Sequence, residues 1–214
     1  MSHFQPHTHD AAPQTSGIVL HWGPLYDLLS DRFLRPSEAS IRALSLVKAG
    51  DKVLDVGCGP GRLTLAAQTW AAPGGEAHGV DPSPEMIAVA RRNAAKRGLG
   101  AQFQLGVAEA LPFADATFDV VLNRLMLHHL PGDLKARGLA EMRRVLKPGG
   151  VCLVVDFAPA KTGHWRFVAQ HLLGPRMMEI DVHAYVPLLE AASFTQVETG
   201  PTGFGMLAYA RGRA

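Results

Sequence analysis

The sequence predicts an α/β fold, a doubly wound and mostly parallel sheet with helices on both of its faces. Three observations predict it. From Lys52 onward, short apolar runs alternate with amphipathic stretches at the pitch of βαβ units. The first run ends in a glycine-rich turn, Gly57-Cys58-Gly59-Pro60-Gly61, ahead of a helical pattern. Residues 151–156 form a continuous apolar run ending in Asp156, as a strand covered on both faces requires.

Taken in order, residues 1–17 are polar, carry Pro6 and Pro13 and show no apolar periodicity, which predicts a disordered tail. His3, His7 and His9 in such a tail are incidental rather than a metal site. Residues 18–33 are dense in apolar and aromatic side chains, among them Trp22, Tyr26 and Phe33, and predict a helix packed on the domain. A second helix follows Pro36, with Ser37 near its start and Ile41, Leu44 and Val47 on one face. Residues 18–50 thus read as a helical lid at the front of a single domain, 18–214. The alternation then runs strand Lys52–Val56, helix 62–70, strand 77–80 and helix Pro84–Arg97, the last with Met86, Ile87, Val89 and Ala90 inward. Strands 102–107 and 118–122 come next, then a helix at 134–146 closed by Pro148-Gly149-Gly150, then strand 151–156. Residues 157–192 are an insertion with a helix at 182–192. Strands 194–199 and 205–211 follow, joined by a Gly/Pro-rich turn as an antiparallel pair.

At 214 residues and 47% apolar, the chain can bury one full sheet. A formal charge of +2 gives no basic stripe for nucleic acid, and Arg91, Arg92, Lys96 and Arg97 suit the solvated face of a helix. Two cysteines, Cys58 and Cys152, make neither a disulfide framework nor a CxxC metal pattern, so no metal is expected and the compartment reads as the reducing cytoplasm. No apolar run approaches the ~18 residues of a membrane span, and no basic segment followed by an apolar run marks a leader. The expected partner is a small molecule, bound by a monomer or a homodimer.

The functional weight falls on Val53-Leu-Asp-Val-Gly-Cys-Gly-Pro-Gly61. Gly57, Gly59 and Gly61 let the backbone approach a ligand in a tight strand-to-helix turn. Asp81 ends the second strand 20 residues after Gly61, where a carboxylate can accept both ribose hydroxyls of an adenosine. The dinucleotide fingerprint G-x-G-x-x-G would need glycine at position 62, where this chain has Arg62. Asp55 at the front of the loop would repel a pyrophosphate and suits an ammonium. A ligand with an adenosine, a cationic sulfur and an amino-acid end satisfies both acids.

At this point the sequence resembles the class I S-adenosylmethionine-dependent methyltransferases, and within them the group similar to the ubiquinone- and menaquinone-biosynthesis methyltransferases. Six motifs in order carry the resemblance: the glycine loop, Gly79-Val-Asp-Pro-Ser-Pro-Glu-Met86, Ala108-Glu-Ala-Leu-Pro-Phe113, Phe118-Asp-Val-Val121, Leu127-His-His-Leu130 and Arg144-Val-Leu-Lys-Pro-Gly-Gly150. The resemblance implies a Rossmann-like sheet of seven strands with the last antiparallel, S-adenosyl-L-methionine as cofactor and S-adenosyl-L-homocysteine as product. It places Asp55, Gly57 and Gly59 at the methionine end of the cofactor and Asp81 at the ribose. The backbone amide of Ala108 falls at the adenine edge and Asn123 beside the sulfonium. Met86 falls near the adenine, or is core filler on its helix. One position departs from the pattern: Val107 stands where the family often has an aspartate that accepts from the adenine amino group. That contact is missing or comes from another group; Glu109 could compensate, or be solvated.

The chemistry implied is methyl transfer to a small, mostly apolar acceptor at carbon, oxygen or sulfur by in-line displacement. A base is needed only for a protonated acceptor. His128 and His129 follow the fourth strand, where ligands of such sheets bind, and either could be that base or pack at the start of the next helix. Adjacent residues leaving a strand cannot both face one crevice, so at most one should reach the acceptor. Asp156 ends the fifth strand toward the same crevice. Tyr26 and His21 could close over the cofactor, and Tyr26 could equally be core. No Asn/Asp-Pro-Pro-Tyr/Phe motif follows the fourth strand, which disfavours nucleic-acid and protein amines. Apolar residues of 158–187, such as Trp165, Phe167, Met177 and Tyr185, could line an acceptor pocket or cover the sheet. Two other functions stay open, a catalytically silent cofactor-binding protein and a dinucleotide-dependent oxidoreductase.

Overall fold

The computed structural model describes residues 37–158, 180–205 and 207–214. The tail at 1–17, the helix at 18–33 with His21 and Tyr26, and Trp165, Phe167 and Met177 of the insertion lie outside the described residues. In chain order the elements are α1 (Glu38–Ser45), β1 (Lys52–Val56), α2 (Arg62–Ala71), β2 (Glu76–Asp81), α3 (Pro84–Arg97), β3 (Gln102–Leu105) and β4 (Phe118–Arg124). A 3-10 turn (Leu127–His129), α4 (Gly132–Val145) and β5 (Leu146–Phe157) follow. The chain ends with a second 3-10 turn (Val182–Tyr185), α5 (Val186–Ala191), β6 (Thr195–Pro201) and β7 (Leu207–Arg213).

The seven strands form one sheet in the order β3-β2-β1-β4-β5-β7-β6. The first five run parallel, and β7 lies antiparallel between β5 and β6. Alternate residues of the central strands point to opposite faces, as the two-residue period of a strand dictates. Val120, Leu122, Val151, Leu153 and Val155 share one core with Ile41 of α1 and Leu63 and Ala67 of α2. Val121, Cys152 and Val154 share the other with Leu134, Leu139 and Met142 of α4 and Leu189 of α5. That is the doubly wound arrangement with helices on both faces.

Local signals explain the best-read element. The Ser83 hydroxyl accepts from the Met86 amide at 3.2 Å, Pro84 occupies the first turn, and Gly98 closes α3 at φ 62°. Elsewhere the boundaries move for physical reasons. β5 begins at Leu146 rather than 151, because Leu146 already pairs with Phe118 and a register shift absorbs the Lys-Pro-Gly-Gly segment before Val151 meets Val120. The helix read at 182–192 divides into a 3-10 turn and α5 at Pro187, which lacks the amide an internal helical position needs. β3 stops at Leu105, and Val107 makes only an isolated bridge with Ala110. β7 starts at Leu207, two residues after the predicted start, because the Thr202 amide bonds back to the Leu207 carbonyl across the turn. Among the described residues no helix is long and apolar enough to cross a membrane.

Strand order reverses between β1 and β4, which opens a crevice beyond their carboxyl ends. Every polar group discussed below lies on that edge.

Candidate active site

The glycine loop is tied to the end of β2, since the Gly57 and Cys58 amides both donate to the Val80 carbonyl at 2.9 Å. At Gly57, φ is 73° and a Cβ would lie 2.3 Å from Met126 Cγ, so only glycine lets Met126 lie over the turn. Gly59 faces open space, with no atom within 4 Å of a built Cβ. Gly61 turns the other way: a Cβ there would meet Phe103 at 2.8 Å and Ala90 at 2.9 Å. Gly57 and Gly59 therefore edge the crevice, while Gly61 packs the start of α2 against β3 and α3.

Asp81, at the end of β2, is nearly buried; its Oδ2 accepts from the Gly59 amide at 2.9 Å and its Oδ1 from the Ser83 amide at 3.0 Å. Burial pushes its pKa up, and the two amide bonds work against that. Each oxygen keeps a lone pair for a further donor. Asp55, in β1, is also buried, and its Oδ2 accepts from the Thr64 hydroxyl of α2 at 2.7 Å. Burial pushes this carboxyl up to about 6, opposed by the Thr64 bond and the Arg124 charge. Thr64 carries no signal in the sequence beyond a helical position facing the sheet. Asn123, near the end of β4, is fully buried; its Nδ2 donates to the Val56 carbonyl at 2.8 Å, and its Oδ1 has no hydrogen-bond partner. A buried acceptor left unmatched is costly, and a ligand N–H at this edge would satisfy it.

Beside the loop lies a cleft of about 390 Å³ counting its open mouth, lined among others by Gly57, Pro82, Val107, Glu109, Met126 and His129. Ala108 also lines it. Met86 is buried on α3 and is not among the lining residues, which is the core-filling arrangement.

On the other side of the crevice the chain leaves β4 into the 3-10 turn. His128 Nδ1 lies 2.8 Å from Asp156 Oδ1. Asp156 is fully buried and accepts two more bonds, from the Phe157 amide at 2.8 Å and from the Tyr185 hydroxyl at 2.9 Å. Burial and the neighbouring Asp156 charge push the Tyr185 phenol well above its usual range, so it remains a donor. A neutral imidazole that donates Nδ1–H to a carboxylate carries its basic lone pair on Nε2. The His129 ring lies tilted against that of His128, with 4.0 Å between centroids and 47° between planes. Burial and the neighbouring imidazole bring its pKa down to about 4, against the pull of Asp156. Both histidines sit on a 3-10 turn rather than on extended chain, and their rings reach different surroundings, His128 toward Asp156 and His129 toward the cleft. The sequence pointed to His128 and Asp156 separately and did not pair them; Tyr185, 29 residues beyond Asp156, appeared only among apolar candidates.

A methyltransferase-domain family model matches residues 53–150. Over 149 residues the chain is 38% identical to the demethylmenaquinone methyltransferase of Thermus thermophilus, covering 68% of this chain and 66% of that protein. It is 35% identical over 153 residues to the ubiquinone/menaquinone biosynthesis C-methyltransferase of Burkholderia mallei, covering 70% of this chain and 62% of that protein. The chain belongs to the class I S-adenosylmethionine-dependent methyltransferases. The chain spans just under two thirds of the length of these relatives. Among solved structures it is similar to a SAM-dependent methyltransferase from Aquifex aeolicus, with a TM-score of 0.69 at 20% identity over 88% of this chain and 96% of that one; the likeness is one of fold.

The cofactor of this family is S-adenosylmethionine. The methyltransferase's own residues fit such a ligand: an unmatched buried acceptor at Asn123, open space before Gly59, and an Asp81 carboxylate with lone pairs to spare.

Proposed function

We propose that the protein transfers a methyl group from S-adenosylmethionine to a small, mostly apolar acceptor at carbon, oxygen or sulfur, with His128 as the base. The observation that carries this is the buried relay of hydrogen bonds from Tyr185 through Asp156 to His128, at the sheet edge that also holds the glycine loop.

Asp55 and the Asn123 Oδ1 would take the amino-acid end of the cofactor, Asp81 the ribose, and the segment from Val107 to Glu109 the base. When bound, the cofactor supplies a methyl group on cationic sulfur, which leaves readily, so alignment of the partners accounts for much of the rate. What remains for the protein is the acceptor's proton. His128 Nε2 takes it as the acceptor becomes nucleophilic, and the hydrogen bond to Asp156 orients the ring and stabilises the imidazolium. The Tyr185 hydroxyl and Phe157 amide hold the Asp156 carboxylate in place. Residues 157–192, Tyr185 among them, would form the acceptor side.

The names of the relatives bring quinols to the front of the acceptor classes. Loss of a ring hydroxyl proton makes the neighbouring ring carbon a nucleophile, which matches a histidine base. The test has two arms. Calorimetry should show binding of S-adenosylhomocysteine and none of NADH. A screen of quinols, phenols, thiols and amines with labelled methyl donor should transfer label to a quinol or phenol, and that transfer should fail in His128→Ala. Tight NADH binding would sink the proposal. Cofactor binding with no labelled product from any acceptor class would favour a silent binding protein.

A further inference from the structure

We propose that His129 reads the edge of the adenine ring, taking the place of the side-chain acceptor that Val107 does not provide. The inference rests on the cofactor reading above and adds to it the residue that recognises the base.

Three placements carry it. First, His129 lines the same cleft as Val107, Ala108 and Glu109, the segment that follows β3. Its position there is fixed by packing. The next residue, Leu130, touches Gly138 of α4, with 3.7 Å between Leu130 Cδ1 and a Cβ built on that glycine; the Ala108 Cβ lies 3.4 Å from the same point. The turn after β4 is thereby held against the segment after β3.

Second, the imidazole has no other employment among the described residues. His128 engages Asp156, whereas no hydrogen bond from a described residue reaches either ring nitrogen of His129; its backbone amide alone is engaged, with the Met126 carbonyl at 2.9 Å. Its ring packs against that of His128 at an interplanar angle of 47°, a contact that satisfies neither nitrogen. A half-buried imidazole of this kind keeps one donor and one acceptor for a ligand.

Third, the chemistry of the cleft suits a neutral heteroaromatic ring. Pro82, Val107, Ala108, Met126 and Leu130 offer apolar surface, and His129 stays uncharged at neutral pH because burial brings its pKa down to about 4. An uncharged imidazole, with one donor and one acceptor, matches a purine, whose amino group donates and whose ring nitrogens accept. The Ala108 amide and the His129 ring would then meet one base from two directions, with no aspartate at 107.

The test compares two ligands by calorimetry on the folded protein: S-adenosylhomocysteine and its purine analogue lacking only the amino group. The wild type should bind the parent compound about fivefold to tenfold more tightly than the analogue, the span of one net hydrogen bond. His129→Phe keeps an aromatic ring of similar shape, so it should lose that preference by weakening the parent compound alone. His129→Phe combined with Val107→Asp should regain the preference, because the aspartate restores a side-chain acceptor in the lining of the same cleft. Equal binding of the two ligands by the wild type overturns the proposal, as does a His129→Phe variant that keeps the preference or weakens both ligands equally. Should the folded wild type bind neither ligand, the cofactor reading itself fails. That result is distinct from the others, which all require binding of S-adenosylhomocysteine.

Discussion

At the carboxyl edge of β1 and β2, the polar groups are held by neighbours close along the chain or by backbone amides. Asp55 meets Thr64 nine residues on, and Asp81 is gripped by the amides of Gly59 and Ser83. At the carboxyl edge of β4 and β5, the network joins side chains from three distant places, His128, Asp156 and Tyr185. Under the proposed function the first half would hold the cofactor and the second would take the acceptor's proton, and that division can be tested at each half in turn.

The largest effect should come from Gly59→Val. A β-branched side chain there enters open space that the ligand needs and resists a φ of 51°. Calorimetry should find no binding of S-adenosylhomocysteine, while near-ultraviolet circular dichroism reports a native fold, since nothing lies within 4 Å of a built Cβ. A folded variant with wild-type affinity would remove the loop from the site.

On the other half, His128→Ala and Asp156→Asn should each lower turnover by ~10²–10⁴-fold and leave the cofactor dissociation constant near that of the wild type. Steady-state kinetics together with calorimetry separates the two quantities. If affinity falls in step with turnover, the halves act as one unit and the comparison breaks.

Asp81→Ala should weaken S-adenosylhomocysteine by ~1.5–3 kcal/mol, the loss of two charge-assisted hydrogen bonds to ribose. The 2′,3′-dideoxy analogue should bind both proteins alike; a wild-type preference for the parent ligand that survives in Asp81→Ala would place the ribose elsewhere.

The smallest effect is one of pH. An ammonium favours the ionised form of Asp55, whose pKa is raised from 3.8 to about 6. Affinity should therefore be flat above that pH and fall as the carboxyl gains its proton, reaching about tenfold weaker at pH 5 than at pH 7.5. Asp55→Asn should flatten the profile. The same shift sets a stability trend for the free protein: the contribution from Asp55 is fullest below 3.8 and is lost as pH rises through about 6. A profile unchanged by Asp55→Asn would assign the titration to another group.

Much of the first half was legible in the sequence because its determinants are local. Glycines in a strand-to-helix turn and an acid at the end of the next strand mark themselves by spacing, and α3 was legible from Ser83, Pro84 and Gly98 alone. Spacing does not reveal which way a Cβ at Gly61 would point; only Phe103 and Ala90, brought alongside, decide that. The boundary at Leu146 was missed for a similar reason, because pairing with Phe118 outweighs the local proline and glycines.

By itself, the sequence determined the α/β class, the order of strands and helices along the chain, the glycine-rich turn after the first strand and the family. Periodicity, turn chemistry and short motifs are properties of neighbouring residues and survive without a third dimension. Tertiary structure alone decided which of the two histidines meets Asp156, that Asp156 sits between His128 and Tyr185, and that His129 lines the same cleft as Val107. Those relations depend on how β4 and β5 are placed beside β1 and on the packing of Leu130 and Ala108 at Gly138, distances that no spacing in the chain encodes.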